Sequence, residues 1–77
     1  MSRPPSPVGG AIRAARIVLR MTQKDAAARA GIHPVAWGRI ERGAQDPSAR
    51  TLSAIARALR VHPGTLFGWR DTPEGGA

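Results

Sequence analysis

The chain has 77 residues and no cysteine, and its twelve Lys and Arg residues against five Asp and Glu give a formal net charge of +7. This length allows one small domain with a thin core, and the absence of cysteine excludes disulfides and thiolate metal sites. The charge favours a polyanionic partner such as a nucleic acid, whereas no apolar run approaches the roughly 20 residues of a membrane span, so we expect a cytoplasmic protein without membrane contact.

The two ends of the chain differ in composition from its centre. Residues 1–8, MSRPPSPV, contain three prolines and one charged side chain, which predicts a disordered Pro-rich arm. Residues 71–77, DTPEGGA, predict a flexible tail. The domain is therefore expected over 9–70, where apolar residues follow helical periodicity and no stretch alternates like a strand.

The first helix is predicted from about 10 to 20. Ile12, Ala15, Arg16 and Leu19 share one face of this helix, at i, i+3, i+4 and i+7. One of the four core-facing positions is therefore an arginine. Because a charge that faces the core must be paired, Arg16 needs an acidic partner elsewhere in the chain.

The second helix begins with Thr22 as N-cap and has Asp25 three residues later, a pair that resembles a capping box. It ends at Gly31, which suits a left-handed turn. A tight turn to the next helix predicts a steep helix-turn-helix crossing, for which the small Ala27 leaves space. The inward-facing residues of this pair of helices are expected to be Ala26, Ala30, Ile32, Trp37 and Ile40.

The third helix is predicted to start with His33 as cap and Pro34 at its first position, where a missing N–H does no harm. It ends before Gly43. His33 has a second interpretation as a phosphate contact, but a second His-Pro pair at His62 and Pro63 favours capping.

Two further helices complete an all-α, compact five-helix bundle with a central helix-turn-helix. Ser48 caps the fourth helix, which has a regular apolar stripe, and His62-Pro63 opens a short fifth helix. The stripe consists of Leu52, Ile55, Ala56 and Leu59. The fifth helix carries Leu66, which we expect to point inward, and Phe67 and Trp69, which we expect at a dimer seam.

The stretch TQKDAAARAGIHPVAWGRIERG, followed by PSARTLSAIARALRV, resembles the Cro and phage-repressor type of helix-turn-helix, also called the xenobiotic-response-element family. The resemblance covers about residues 10 to 67. It implies a lambda-repressor-like fold and a transcriptional regulator, expected to be a repressor, that binds double-stranded DNA with a recognition helix, about 33–42, in the major groove. Because one module covers only a short half-site, we expect the protein to bind as a two-fold dimer. The resemblance also implies that Glu41 is the partner of Arg16.

The resemblance assigns roles along the DNA. Arg39 is expected to read guanine O6 and N7, Val35 to contact a thymine methyl group, and Pro34 to occupy a base-reading position without a donor. Gln23 resembles the phosphate-clamping glutamine of the family. The remaining expected DNA-backbone contacts are His33, Arg42, Arg20, Lys24 and Arg50.

Two residues depart from the family pattern. Ala26 is smaller than the usual residue and Trp37 larger, so the indole is expected to fill the space that Ala26 leaves, with Gly38 giving the ring room. The alternative is an exposed Trp37 that stacks on a nucleic-acid base.

Other classes of function have less support. The sequence lacks a phosphate-binding glycine loop, a nucleophile with its base, and a metal-ligand cluster, so we expect neither an enzyme nor a cofactor. The alternative function is a protein-interaction module, such as an antitoxin with a protein partner. RNA binding is less favoured, because the sequence lacks a GxxG loop and an aromatic sheet.

Overall fold

The computed structural model describes residues 7–66 of the chain. Four helices follow one another as α1 (Pro7–Val18), α2 (Gln23–Ala30), α3 (Pro34–Glu41) and α4 (Ala49–Ala58). Residues 63–66 are also helical, and no strand occurs within the described range. The predicted all-α architecture of five helical segments is therefore confirmed.

The first helix begins earlier than predicted. It includes Pro7 and Val8, which the sequence analysis placed at the end of the arm, because a proline is tolerated in the first helical turn. Val8 is only 6% exposed and packs in the core with Ala11 and Ile12. The N-terminal turn of α1 therefore contributes to the stability of the bundle.

The C-terminal end of α1 corrects one predicted core position. The helix stops at Val18, so Leu19 leaves the helical register and is 40% exposed. Met21, the second residue after it, packs against the core instead. Ile17 and Val18 are exposed as well, by 48% and 79%.

Side chains cap the helices as the sequence predicts. In each case an oxygen or ring nitrogen of the residue before the helix accepts a hydrogen bond from a backbone N–H in the first turn. The caps are Thr22 Oγ1 from Asp25 N–H at 3.0 Å, His33 Nδ1 from Val35 N–H at 3.1 Å, Ser48 Oγ from Thr51 N–H at 3.1 Å, and His62 Nδ1 from Gly64 N–H at 2.9 Å.

A left-handed residue follows the end of each of α1 to α4. Gly31 was expected in this role and has a φ value of 73°, and Gly43, where α3 was expected to end, has 78°. Arg20 and Arg60 adopt φ values of 58° and 60° after α1 and α4. The amide after each left-handed residue donates to the carbonyl five positions earlier, as in Met21 N–H to Arg16 O, which is a Schellman motif. The left-handed conformation costs each arginine about 1–2 kcal/mol, and nothing in the sequence indicated it.

The core lies between the four helices α1 to α4 and includes Leu66 of the last described helical turn. Its largest fully buried side chains include two residues of the predicted α4 stripe. These largest side chains are Trp37, Ile12, Ile40, Ile55, Leu59 and Leu66, and the other two residues of the stripe, Leu52 and Ala56, are 3% and 1% exposed.

A close approach of α1 to α3 depends on Gly9. A methyl group on Gly9 would lie 2.5 Å from the carbonyl oxygens of Ile40 and Glu41. We expect Gly9→Ala to lower the free energy of unfolding by about 1–3 kcal/mol, because the backbones must separate. The exposed neighbour provides the control, since Gly10→Ala should be neutral or stabilise the helix by up to about 1 kcal/mol. Urea denaturation followed by circular dichroism measures both, and equal effects would contradict this close contact.

Candidate nucleic-acid interface

The turn between α2 and α3 sets the geometry of the site. Only residues 31–33 separate Ala30 from Pro34, and Gly31 makes the reversal in the left-handed conformation. Ala26 and Ala27 are fully buried in α2, so their small side chains permit the close crossing. This arrangement is a helix-turn-helix.

The third helix has one buried and one open face. Trp37 and Ile40 are 0% and 1% exposed, which supports the core interpretation of Trp37 and excludes the exposed stacking alternative. Val35, by contrast, is 54% exposed. Pro34, Arg39 and Arg42 are also exposed on this helix or at its end.

The ion pair predicted between α1 and α3 is present. Arg16 Nε donates to Glu41 Oε2 at 2.6 Å and Arg16 Nη2 donates to Oε1 at 3.1 Å. The Glu41 side chain is only 2% exposed. Arg16 Nη1 also donates to the carbonyl of Met21 at 2.8 Å, so the same guanidinium fixes the connection from α1 to α2.

Two further donors to Glu41 were not assigned from the sequence. Trp37 Nε1 donates to Oε2 at 2.6 Å, and Gln23 Nε2 donates to Oε1 at 3.0 Å. One carboxylate therefore accepts hydrogen bonds from α1, α2 and α3. The spacing contained a signal for the indole contact, because Trp37 and Glu41 lie one helical turn apart and a buried indole N–H needs an acceptor.

These contacts determine the titration of Glu41. Burial raises the pKa of its carboxyl, but the hydrogen bonds from Arg16, Gln23 and Trp37, together with the charge of Arg16, outweigh burial and hold the pKa below its ordinary value. The hydrogen bond to Glu41 likewise raises the pKa of Arg16, against the opposing effect of burial. The pair is therefore fully ionised at neutral pH.

The lowered pKa of Glu41 predicts acid sensitivity. A carboxyl with a lower pKa in the folded chain stabilises the fold above its unfolded-state value, for which 4.5 is the reference, and this stabilisation is lost as the pH falls through the folded-state pKa. We expect the urea midpoint to fall on acidification from neutral pH to below pH 4, and to fall less in Glu41→Gln. An equal acid dependence of the two proteins would contradict this role of Glu41.

Gly38 lies close to two polar side chains. A methyl group on Gly38 would lie 3.2 Å from Arg42 Nη1 and 3.5 Å from Gln23 Oε1. The nearest neighbours outside the adjoining residues are therefore two polar side chains, and the expectation that Gly38 gives the Trp37 ring room stays a prediction.

The structure places the other expected DNA contacts on the protein surface. Gln23 and Arg42 are brought together over Gly38, and His33 uses its Nδ1 as the cap of α3. Phe67 and Trp69, the expected dimer seam, lie outside the described residues. The exposed candidates are Arg20, Gln23, Lys24, His33, Pro34, Val35, Arg39, Arg42 and Arg50.

Charge is distributed unevenly on α3. Its one acid, Glu41, points inward and is neutralised by Arg16, whereas Arg39 and Arg42 are exposed. The open face of α3 is therefore basic and apolar.

Within residues 7–66, no three His, Cys, Asp or Glu side chains lie together as metal ligands, and no helix there has the length and hydropathy to cross a bilayer.

A helix-turn-helix whose second helix presents a basic open face is typical of proteins that bind DNA. The sequence pattern of a helix-turn-helix family matches residues 12–66 of the chain. The chain therefore belongs to the Cro/C1-type helix-turn-helix family, as the sequence motifs indicate.

Two proteins of similar sequence are named as regulators. Two HTH-type transcriptional regulators of Mycobacterium tuberculosis strains, both described as uncharacterized, are 37% identical over 59 residues, which is 77% of this chain and 42% of theirs. The chain thus spans less than half the length of these relatives.

Two solved structures are also similar. The restriction-modification controller protein C.AhdI from Aeromonas hydrophila has a TM-score of 0.77 and 28% identity, covering 79% of this chain and 92% of that one. The P22 c2 repressor bound to a synthetic operator has a TM-score of 0.74 and 31% identity, with the same coverage.

Proposed function

We propose that this protein is a transcriptional regulator that binds double-stranded DNA sequence-specifically through α3. The observation that carries this proposal is the open face of α3, which presents Arg39, Arg42 and Val35 while the only acid of the helix is turned inward and paired. The proposed role is binding rather than catalysis, with no cofactor. A protein of this function acts on the chromosome, which places it in the cytoplasm with the nucleoid.

The proposed base contacts lie along the exposed face of α3, from its first residue to its last turn. Arg39 bridges O6 and N7 of a guanine, and Val35 packs on a thymine methyl group. Pro34 is exposed but has no N–H, so it contributes apolar contact and shape rather than a hydrogen bond. Sequence preference at that base pair then comes from the local shape and deformability of the DNA.

The proposed phosphate contacts surround this helix. Gln23 and Lys24 lie in the first turn of α2, Arg20 precedes it, and Arg50 lies in the first turn of α4. His33, which is held as the cap of α3, is the remaining proposed phosphate contact beside Arg42. These contacts determine the register of α3 in the groove, whereas base contacts determine sequence.

A dimer would bind a longer stretch of DNA than one domain can cover. A single module buries about 600–1,000 Å² on DNA, and a two-fold pair would read two half-sites one helical turn apart. We propose that the C-terminal helix, with Phe67 and Trp69, forms the seam between the two copies. Light scattering that gives a monomer at high micromolar concentration without DNA would contradict a stable dimer.

Selection of bound sequences from a random duplex pool tests the proposed function. We expect recovery of a short motif repeated as an inverted pair, with the two centres about 10 base pairs apart. A single copy of the motif would contradict the dimer but support specific binding. Failure to enrich any sequence, together with binding to random DNA at low salt only, would contradict sequence-specific recognition.

A further inference from the structure

Gly38 is buried even though it lies on the open face of α3, between Val35 on the preceding turn and Arg42 on the next. The atoms over it are Arg42 Nη1 and Gln23 Oε1, at 3.2 Å and 3.5 Å from the position of a methyl group. Side chains on a helix lean toward its N-terminus, so Arg42 folds back by one turn into the space that glycine leaves.

The side chain of Gln23 is oriented by the buried network. Its Nε2 donates to Glu41 Oε1 at 3.0 Å, and Glu41 is in turn held by Arg16 and Trp37. A primary amide carries two N–H groups, so one is still able to donate to a ligand. The glutamine is thus fixed at the edge of the interface beside a guanidinium from the neighbouring helix.

We propose that Gly38 is a positioning residue for phosphate binding: its missing side chain holds Arg42 beside Gln23, so that both bind one DNA phosphate. A guanidinium and an amide N–H side by side can donate to two oxygens of the same phosphate. Glycine lowers helix stability, and the space over Gly38 is bordered by these two polar side chains. This inference rests on the proposed function, and it joins two side chains that the sequence analysis assigned to phosphate separately.

Titration of the free protein with inorganic phosphate tests the pairing without DNA. In ¹⁵N NMR spectra, we expect the side-chain resonances of the Gln23 amide and the Arg42 guanidinium to shift together, with one dissociation constant. Gly38→Leu should abolish this joint shift, because the larger side chain displaces Arg42. Independent shifts, no shift of either group, or an unchanged response in Gly38→Leu would overturn the proposal.

A double-mutant cycle on the selected duplex tests the same proposal with DNA. Gly38→Leu and Arg42→Ala should each weaken binding by about tenfold, as expected for one charge-assisted contact. Each should also reduce the slope of log affinity against log salt by about one unit. The double variant should bind no more weakly than either single variant, whereas multiplying losses would overturn a shared contact.

A matched control separates positioning from folding. Gly10→Leu makes the same substitution at an exposed site of α1 and should change neither the phosphate titration nor the salt slope. Circular dichroism should show that Gly38→Leu remains folded, since leucine favours helix. If the wild-type protein bound no DNA, the proposed function would fail, but the phosphate titration would still decide whether Gly38 positions Arg42 and Gln23.

Discussion

Glu41→Gln is expected to lower the free energy of unfolding by about 3 kcal/mol, because removing one partner of a buried ion pair leaves the other charge uncompensated. Arg16, Gln23 and Trp37 all donate hydrogen bonds to this carboxylate. The side-chain amide that replaces it would place its own N–H groups against these donors. For a chain of this length, total stability is about 4–12 kcal/mol. The substitution therefore removes a large part of it.

Asp25→Asn provides the matched control for Glu41→Gln. It removes the same charge from an exposed carboxylate in the first turn of α2, where the helix dipole contributes only about 0.3–1 kcal/mol. Equilibrium urea denaturation at neutral pH measures both variants. If both variants lost the same small amount of unfolding free energy, the hydrogen bonds to Glu41 would not hold α1, α2 and α3 together.

Arg39→Ala is expected to weaken binding to the selected duplex by about 1–3 kcal/mol and to relax the preference at one base pair. The fold should not change, because Arg39 is exposed. Fluorescence anisotropy on the selected duplex and on single-base variants of it measures both effects. Replacement of the guanine by 7-deazaguanine should cost the wild-type protein affinity and cost Arg39→Ala little.

The control for Arg39→Ala is another exposed arginine. Arg29 lies at the opposite end of α2 from Gln23, about 9 Å further along the axis, and was not assigned to DNA. Arg29→Ala should lower affinity slightly and without regard to sequence. An equal loss for Arg39→Ala on specific and random DNA would contradict base reading by this residue.

Local signals in the sequence predicted most of the fold. The N-caps Thr22, His33 and Ser48 and the left-handed Gly31 and Gly43 occur where their short-range chemistry requires them. The apolar stripe of α4 was regular enough to identify its buried face. Such features depend on neighbours within one or two turns, which a single sequence contains.

Features that depend on contacts between helices were harder to predict. The close contact at Gly9 and the folding of Arg42 over Gly38 depend on atoms from other turns or other helices. Leu19 was assigned to the core because periodicity does not show where a helix ends. The left-handed Arg20 and Arg60 gave no signal either, since arginine has no preference for that conformation.

The candidate site shows the same division. The Arg16–Glu41 pair was predicted because Arg16 occupies a core-facing position and because the family resemblance implies Glu41 as its partner. The pair is present in the structure. The Trp37 and Gln23 contacts to the same carboxylate required the crossing of α2 and α3 in three dimensions. The sequence suggested the residues of the interface, whereas the network that orients them could be found only in the structure.

Intermolecular nuclear Overhauser effects in a complex with the selected duplex test the central claim most directly. Val35 is 54% exposed on α3, and its methyl groups should show contacts to major-groove protons such as thymine methyl groups. Ile17 and Val18, which are exposed on α1, should show none. Contacts from Ile17 or Val18 to the DNA, with none from Val35, would contradict recognition by α3.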